Sequence, residues 1–145
     1  MSTHEIDIGY SWIYSTLTGD ETLMEMIPDE DCHRHFAPPS TPQPYLVMDY
    51  RPPGGTAGAD VQKFGGRAYT DLLFELRATG PSKLYTEIAL AASRVDDLLQ
   101  GTNIAVSGGT IMACFRHEPI EEDVLIEGEA WCNLGGAYRM LIAQS

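Results

Sequence analysis

The amino-acid sequence predicts an α+β fold, a small mixed or antiparallel β-sheet with helices packed on one of its faces. Helical periodicity marks the start of the chain and one later segment, whereas four other segments have the composition or the period-two alternation of strands. The strands follow one another in pairs, as in hairpins. With 145 residues, 43% of them hydrophobic, the chain can bury one core, so a single domain over residues 1–145 is expected.

Two helices are expected near the start of the chain. Within Ile6–Leu17 the apolar residues recur at spacings of three and four, as on the buried side of an amphipathic helix. Gly19 ends this helix, and Asp20 caps a short second helix that Pro28 stops. The next segment, 29–44, contains four prolines and no regular period, so it is predicted to be an exposed connector.

The first two strands are expected at Tyr45–Tyr50 and at about Arg67–Ala78, because both segments are rich in β-forming residues. Between them, the glycine-rich segment 52–66 has few large apolar residues and is predicted to be a long mobile hairpin loop. Loops of this length are commonly functional. The drier face of the second strand is expected to consist of Leu72, Phe74, Leu76 and Ala78.

The most regular apolar pattern predicts a third helix over Leu84–Leu98, with Pro81 in its first turn and Gly101 as its stop. Two more strands are expected afterwards, at Thr110–Arg116 and Ala137–Ala143. In the first of them, Ile111, Ala113 and Phe115 should oppose Met112, Cys114 and Arg116. The acidic segment 118–123 is expected to turn the chain, and Gly135 and Gly136 to introduce the last strand, whose shared face is Tyr138, Met140 and Ile142.

Composition excludes several classes of function. The formal charge of −12 and the pI near 4.5 argue against strong binding to nucleic acid, which needs a basic surface, and against anionic lipid. Apolar runs are too short to span a membrane, and the first ten residues do not resemble a secretion signal. The odd count of three cysteines is unlike a disulfide framework and favours synthesis in a reducing cytosol.

The densest group of chemically versatile side chains is Cys32, His33 and His35, beside the acidic run 29–31. A small metal-binding or enzymatic module using these residues is one hypothesis. However, Cys-His-x-His lacks the spacing with which structural zinc ligands converge, and no matching pair follows downstream. We therefore expect no metal, no cofactor and no catalytic residue.

Other candidate catalytic patterns are weaker. His117 next to Glu118 could act as an acid/base pair, but a lone histidine at a strand end is typical of a surface residue. Cys114 on an alternating strand resembles a small core residue more than a nucleophile. The glycines of PPGGTAG and VSGGT do not continue into a phosphate-binding motif. These residues predict a non-catalytic protein.

Taken in order, the elements resemble the tail terminator, or tail completion, proteins of long-tailed bacteriophages. The resemblance spans nearly the whole chain: a helix pair, a proline-rich connector, the Pro-Tyr-Leu-Val entry at Pro44–Val47, a hairpin with a long loop and a helix ending in Leu-Leu-Gln-Gly. It continues with Arg116 after a core strand, an acidic link, and a Gly-x-Tyr-Arg strand at Gly136–Arg139.

The resemblance implies a structural protein of the virion, made in the host cytoplasm and located at the head-proximal end of the tail. Such a protein forms a homohexameric ring on the last ring of tail tube protein, stops tube elongation and offers a surface to the head connector. The related alternative is a tail-to-head joining protein of the same architecture. DNA would pass through the ring without specific binding.

Two sets of residues are candidates for these contacts. The glycine-rich loop is expected to reach a neighbouring subunit or ring and to become ordered on contact. Acidic residues could line the lumen of the ring, where they would repel DNA phosphates; a solvated outer face is the alternative. The interface candidates are Arg51, Val61, Lys63, Phe64 and Arg67, and the lumen candidates are Glu121, Glu122 and Asp123.

Overall fold

A computed structural model describes residues 3–51, 60–63 and 66–144, with the backbone alone at residues 3, 4, 60–63 and 66–68. The predicted α+β fold is confirmed. The helices are α1 (Thr3–Thr18), α2 (Glu21–Met26) and α3 (Tyr85–Leu98), the last preceded by a 3-10 turn at Ser82–Leu84. The strands are β1 (Cys32–Arg34), β2 (Tyr45–Tyr50), β3 (Asp60–Lys63), β4 (Gly66–Pro81), β5 (Gly101–Val106), β6 (Gly109–Ile126) and β7 (Glu129–Gln144).

One mixed sheet organises the described residues. Its strand order is β1-β2-β4-β7-β6-β5, and β3 pairs with the part of β4 that β2 does not reach. The β1–β2 pair is parallel, whereas the other pairs are antiparallel. The longest ladders join β7 to β4 and to β6, so β7 is the central strand.

The helices cover one face of this sheet, which we call the helix face. It is formed by the predicted dry face of β4 and by the matching residues of β7, and α1 approaches it so closely that a Cβ at Gly9 would lie 2.5 Å from Phe74 Cζ. Burying this apolar face supplies the main stabilisation of the fold. The even-numbered core residues of the two strands, all nearly inaccessible to solvent, are Leu72, Phe74, Leu76, Ala78, Tyr138, Met140 and Ile142.

The predicted cap of α2 is confirmed and has a second role. An Asp20 carboxylate oxygen accepts the backbone N–H of Leu23 at 2.8 Å, as expected of an N-cap. The same carboxylate accepts two hydrogen bonds from Arg94 on α3, at 2.7 and 2.9 Å. Because Arg94 and the Leu23 amide both favour its charged form, the pKa of Asp20 is lowered. One side chain thus begins α2 and ties it to α3.

Three short strands were not predicted. β1 lies inside the proline-rich segment 29–44, where Cys32 pairs with Leu46 and is buried, so this segment is not simply an exposed connector. β3 lies inside the expected loop 52–66, and β5 follows α3 directly. Edge strands of three to six residues are defined by their partners rather than by their own periodicity, which is why the sequence pattern missed them.

The last two strands are much longer than predicted. The acidic segment 118–123 does not turn the chain but continues β6, and the turn comes at Glu127 and Gly128, both with positive φ. Gly135 and Gly136 lie within β7 and do not introduce it. The expectation was wrong because residues 121–130 are exposed throughout, so these parts of the strands lack a dry face.

The alternation predicted for Thr110–Arg116 is also wrong. The β6–β7 register shifts between Ile111 and Ala113, so Met112 is an extra residue in a β-bulge. As a result Ile111 and Cys114 both lie on the helix face and are buried, while Phe115 is exposed. A bulge of one residue reverses the faces of the residues that follow it, here up to the second register shift between Arg116 and Glu118.

The boundaries of the third helix differ slightly from the prediction. Pro81 is the last residue of β4 and precedes the 3-10 turn, so α3 begins at Tyr85. Gly101 is not the helix stop; Leu99 caps α3 and Gly101 begins β5. Ile88, Ala91 and Val95 are buried as the spacing predicted. None of the described helices is long and apolar enough to cross a membrane.

We expect Gly135→Ala to lower the free energy of unfolding by about 1–3 kcal/mol, because its Cβ would lie 1.8 Å from the Leu76 carbonyl oxygen of the neighbouring strand. Urea denaturation measures this loss. The matched control is Gly136→Ala, whose Cβ would meet the movable Arg116 side chain at 2.6 Å and should cost less. Equal stability of the Gly135 variant and the native chain would contradict the close approach of β4 and β7.

Candidate functional site and assembly surfaces

The sheet face opposite the helices, which we call the open face, is polar and linked by ion pairs. Asp71 on β4 is buried and accepts hydrogen bonds from Arg139 on β7, with Nε at 2.9 and 3.0 Å from its two oxygens and Nη2 in contact with Oδ2. This bidentate pair is the strongest kind of side-chain hydrogen bonding. The hydrogen bond to Asp71 is the largest cause that raises the pKa of Arg139.

A second network crosses the whole centre of the open face. Arg51, just after β2, lies 3.3 Å from Glu75 on β4 and 2.6 Å from Glu118 on β6. Arg77 on β4 lies 2.8 Å from Glu75 and 3.2 Å from Glu122 on β6. These five side chains form one chain of alternating charges, with two cations and three carboxylates.

The bridges pass over β7, which separates β4 from β6. In the register, Arg77 pairs with Gly135 and Glu75 pairs with Ala137, while Glu118 pairs with Ala137 from the other side. Arg77 reaches a second-neighbour strand, roughly 10 Å away, and Arg51, which extends from the end of β2, reaches a third-neighbour strand, roughly 14 Å away. Both can do so only where the side chains that lie between are small. Gly135 and Ala137 are small enough to leave this space above β7. Gly135, which lets β7 lie close to β4, therefore also leaves room for the ion pairs.

The network alters the titration of its members. The hydrogen bond from Arg51 is the largest cause that lowers the pKa of Glu118, and the same contact raises the pKa of Arg51. Both side chains are largely solvent-exposed, so the pair contributes little to folding. Its effect is to fix the orientation of charges on the open face.

Residues 118–131, in the distal parts of β6 and β7, carry a distinct surface that we call the arm. Because β4 pairs with β7 as far as Trp131, only the end of the arm, residues 125–130, is a two-stranded hairpin. The arm carries no lysine or arginine, and its turn at Glu127 and Gly128 is flanked by apolar side chains that remain in contact with water. The exposed fractions are 42% at Val124, 76% at Leu125 and 47% at Ile126. The carboxylates of the arm are Glu118, Glu121, Glu122, Asp123, Glu127 and Glu129.

The three lumen candidates lie on this arm but do not share a face. Glu121 pairs in register with Leu134 and accepts a hydrogen bond from the Tyr85 hydroxyl at 3.1 Å, so it lies on the helix face. Asp123 pairs with Cys132 on that same side. Glu122 points to the open face and its partner is Arg77. Adjacent residues of a strand face opposite ways, so one surface cannot use all three.

The structure describes the interface candidates in part. Arg51 belongs to the ion-pair network of the open face. Val61 and Lys63 lie on β3, and Arg67 lies at the start of β4, close to one another in the β3–β4 ladder. Phe64 and residues 52–59 lie outside the described residues. The interface role of these five residues stays a prediction.

The Cys32, His33 and His35 group does not converge. Cys32 is buried, and burial raises the pKa of its thiol to about 12. His33 Nε2 lies 2.6 Å from an Asp29 oxygen, and His35 Nδ1 lies 2.7 Å from an Asp49 oxygen, so each imidazole has its own carboxylate partner. Among the described residues, no group of three His, Cys, Asp or Glu side chains could hold a metal ion.

The other residues considered for catalysis are His117 and Cys114. His117 is the extra residue of a second register shift in β6, between Arg116 and Glu118, and is exposed. Burial raises the pKa of the Cys114 thiol to about 12, opposite to the change that makes a cysteine nucleophilic. Burial likewise raises the pKa of Cys132. Cys32, Cys114 and Cys132 are all free thiols inside the protein.

Comparison with known proteins identifies a structural likeness. No protein-family model matches the chain, and no curated protein matches it. A chain in the solved structure "Virion of native gene transfer agent (GTA) particle" is similar in fold, with a TM-score of 0.66 and 18% identity over 90% of each chain. The fold of this chain is therefore similar to that chain's fold over 90% of the length of both.

We expect Arg51→Gln to raise the pKa of Glu118 towards its ordinary value, because the variant removes the guanidinium that stabilises the carboxylate. A pH titration of the side-chain carboxyl carbon by NMR measures the change. Since the folded pKa of Glu118 lies below the unfolded one, the stabilising effect is present above about pH 4.3 and disappears as the pH falls through the folded pKa.

The matched control for this experiment is Lys83→Gln, which removes an exposed cation outside the network. Its Glu118 titration should equal that of the native chain. A Glu118 titration that is unchanged in Arg51→Gln would contradict the pairing of these two side chains.

Proposed function

We propose that this protein is a structural component of a phage-like particle and not an enzyme. The observation that carries the proposal is the likeness to a chain of a gene transfer agent virion, which spans 90% of both chains. The chemistry of the described residues supports it. The buried thiols with raised pKa and the ion-paired open face are arrangements that hold a surface in place and do not activate a nucleophile.

Within such a particle we propose the role of tail terminator. A homohexameric ring of this chain would sit on the last ring of tube subunits at the head-proximal end of the tail, stop elongation and receive the head connector. The resemblance of the element order to tail terminators supports this, as does the arm, which offers contact area away from the core. A tail-to-head joining protein is the second candidate, because the same architecture suits either position.

The open face is our candidate for the surface that lines the ring. Its described arginines are already matched by carboxylates, and the Arg51–Arg77 network retains one carboxylate in excess. Among the side chains that the structure describes on this face, Arg51, Arg77 and Arg139 are all paired with carboxylates, so none is left to hold a DNA phosphate and DNA would slide past them. Of the three lumen candidates, Glu122 lies on this face.

Deletion of the gene from the particle's genome separates the two roles. A terminator is required to stop polymerisation, so its loss should yield tails of excessive and variable length. Loss of a joining protein should instead leave detached tails of normal length. Electron microscopy of the particles measures tail length directly, and tails of normal length that are joined to heads would contradict both roles.

The ring itself is tested on purified protein. Native mass spectrometry of the chain, alone and mixed with tubes of the particle's tube protein, should detect hexamers. A strictly monomeric protein, even on assembled tubes, would contradict the ring.

The lumen role is tested by the pair Glu122→Lys and Asp123→Lys. Both change one arm residue by two charge units, but they do so on opposite faces of β6. If the open face lines the channel, Glu122→Lys slows DNA release from assembled particles, because the new cation attracts phosphate, whereas Asp123→Lys does not. Equal release rates in the two variants, measured by the appearance of free DNA, would place the open face away from the channel.

A further inference from the structure

A single row of residues crosses the sheet from one edge strand to the other. In register, Asp60 on β3 pairs with Thr70, Thr70 with Ile142, Ile142 with Ile111, and Ile111 with Ile104 on β5. β3 and β5 are therefore opposite edges of the sheet at the same level. Among the described residues, each of these two strands pairs with a neighbour on one side only.

The outer side of an edge strand presents backbone N–H and C=O groups that have no partner in the sheet. Another extended chain completes such a row, because its own donors and acceptors alternate in the same way. At β5 the uninterrupted extended stretch is Ile104–Val106, since Asn103 has a positive φ of 53°. β5 contains neither a proline nor a charged residue, which are two common means of keeping an edge from pairing. This edge is therefore open to a further strand.

Charge distinguishes this level of the sheet from the end that carries the arm. β3 contains one acid, Asp60, and one base, Lys63, so neither β3 nor β5 has a net charge. Towards the arm, carboxylates of segment 29–31 lie next to β1 at one edge, and carboxylates of segment 118–123 lie on β6 at the other. Because like charges repel, two copies can bring opposite edges together most easily where β3 and β5 lie.

Strand direction and ring symmetry fit the same contact. β3 and β5 run in the same direction, because four antiparallel pairings separate them. Neighbours in a closed ring are related by rotation about one axis, so the two halves of each contact lie at one height along that axis. If the strands run roughly along the axis, β5 of one copy and β3 of the next copy meet as parallel strands.

We propose that β5 of one copy pairs with β3 of the next copy, so that the sheets of all copies in a ring join into one closed barrel. The inference rests on the proposed function, because it names the contact through which the ring closes. The contact is heterologous and uses both edges of every copy. A closed barrel leaves no free sheet edge at this level, so no further strand can add there.

The size of such a barrel suits a channel. The strands that cross this level are β3, β4, β7, β6 and β5, so six copies would close a barrel of about thirty strands. At about 4.8 Å between strands, its circumference is roughly 140 Å and its diameter roughly 45 Å between backbones. Barrels of about 16 to 18 strands already enclose a water-filled channel, so this barrel would be open. The open face would line it, and the helices would lie outside.

Cysteine cross-linking tests the contact directly. A double variant with Val61→Cys on β3 and Ala105→Cys on β5 is treated with a short bis-maleimide under conditions in which the ring forms. The three native thiols are buried and should not react. If β5 meets β3 of the next copy, denaturing electrophoresis should show a ladder of covalent oligomers that ends at the hexamer. The controls are the two single variants, which should form no covalent dimers, because a head-to-tail contact brings no two equal positions together.

Two proline variants test the backbone pairing. Adjacent residues of a strand direct their N–H groups to opposite sides, so one of Ala105 and Val106 faces β6 and the other faces outward. Of Ala105→Pro and Val106→Pro, the variant without the outward N–H should keep the native stability and raise the dissociation concentration of the ring about tenfold or more. The other variant should lose stability. Urea denaturation identifies the two cases, and mass photometry measures assembly.

The outcomes separate the contact from the ring. Hexamers in which Val61→Cys and Ala105→Cys do not cross-link, or two folded proline variants that both assemble as the native chain does, would overturn the β5–β3 pairing and leave the ring in place. Efficient covalent dimers of the Ala105→Cys single variant would also overturn it, because they place two β5 strands together. If neither proline variant folds, the cross-linking result decides. A native chain that is monomeric at all concentrations and on tail tubes would overturn the contact and the proposed function together.

Discussion

The close approach of β7 to β4 at Gly135 is the constraint on which the rest of the structure depends. Gly135 brings β7 against the Leu76 carbonyl, and Gly135 and Ala137 leave the space across which Arg77 reaches a carboxylate two strands away and Arg51 reaches one three strands away. On the other side, Gly136 gives room to the Arg116 stem beneath α3. A single strand therefore sets the helix packing on one face and the charge pattern on the other.

The helix face of the sheet contributes stability, whereas the open face contributes a pattern of charges. The helix face holds the apolar core, where burial of large side chains supplies most of the stability. The Arg51 and Arg77 ion pairs of the open face are partly exposed, and such pairs contribute little to the free energy of folding. Their value lies in the charge pattern that they hold in place. A stable core with a separately patterned surface is what a subunit of an assembly requires, since its contacts can then vary without loss of the fold.

Much of the fold could be predicted from the sequence, and the failures have a common cause. α1, α3 and β4 have apolar faces with their own periodicity, and β2 is rich in β-forming residues, so local sequence was sufficient to predict these elements. β1, β3 and β5 are edge strands that depend on distant partners, and the arm has exposed side chains on both faces. The candidate site shows the same limit. The sequence analysis named Arg51 and Glu122 as separate candidates, but their connection through Glu75 and Arg77 depends on the register of the strands that carry them. Recognising segment 118–123 as a strand would have separated Glu121 from Glu122.

Burial of the three thiols affects how readily the protein is oxidised. Burial raises the pKa of Cys32, Cys114 and Cys132, so they remain neutral thiols. Burial also keeps oxidants and other thiols from reaching their sulfur atoms. If copies of this chain assemble as proposed, such enclosed thiols would not form covalent cross-links between them, and the contacts between copies would stay reversible.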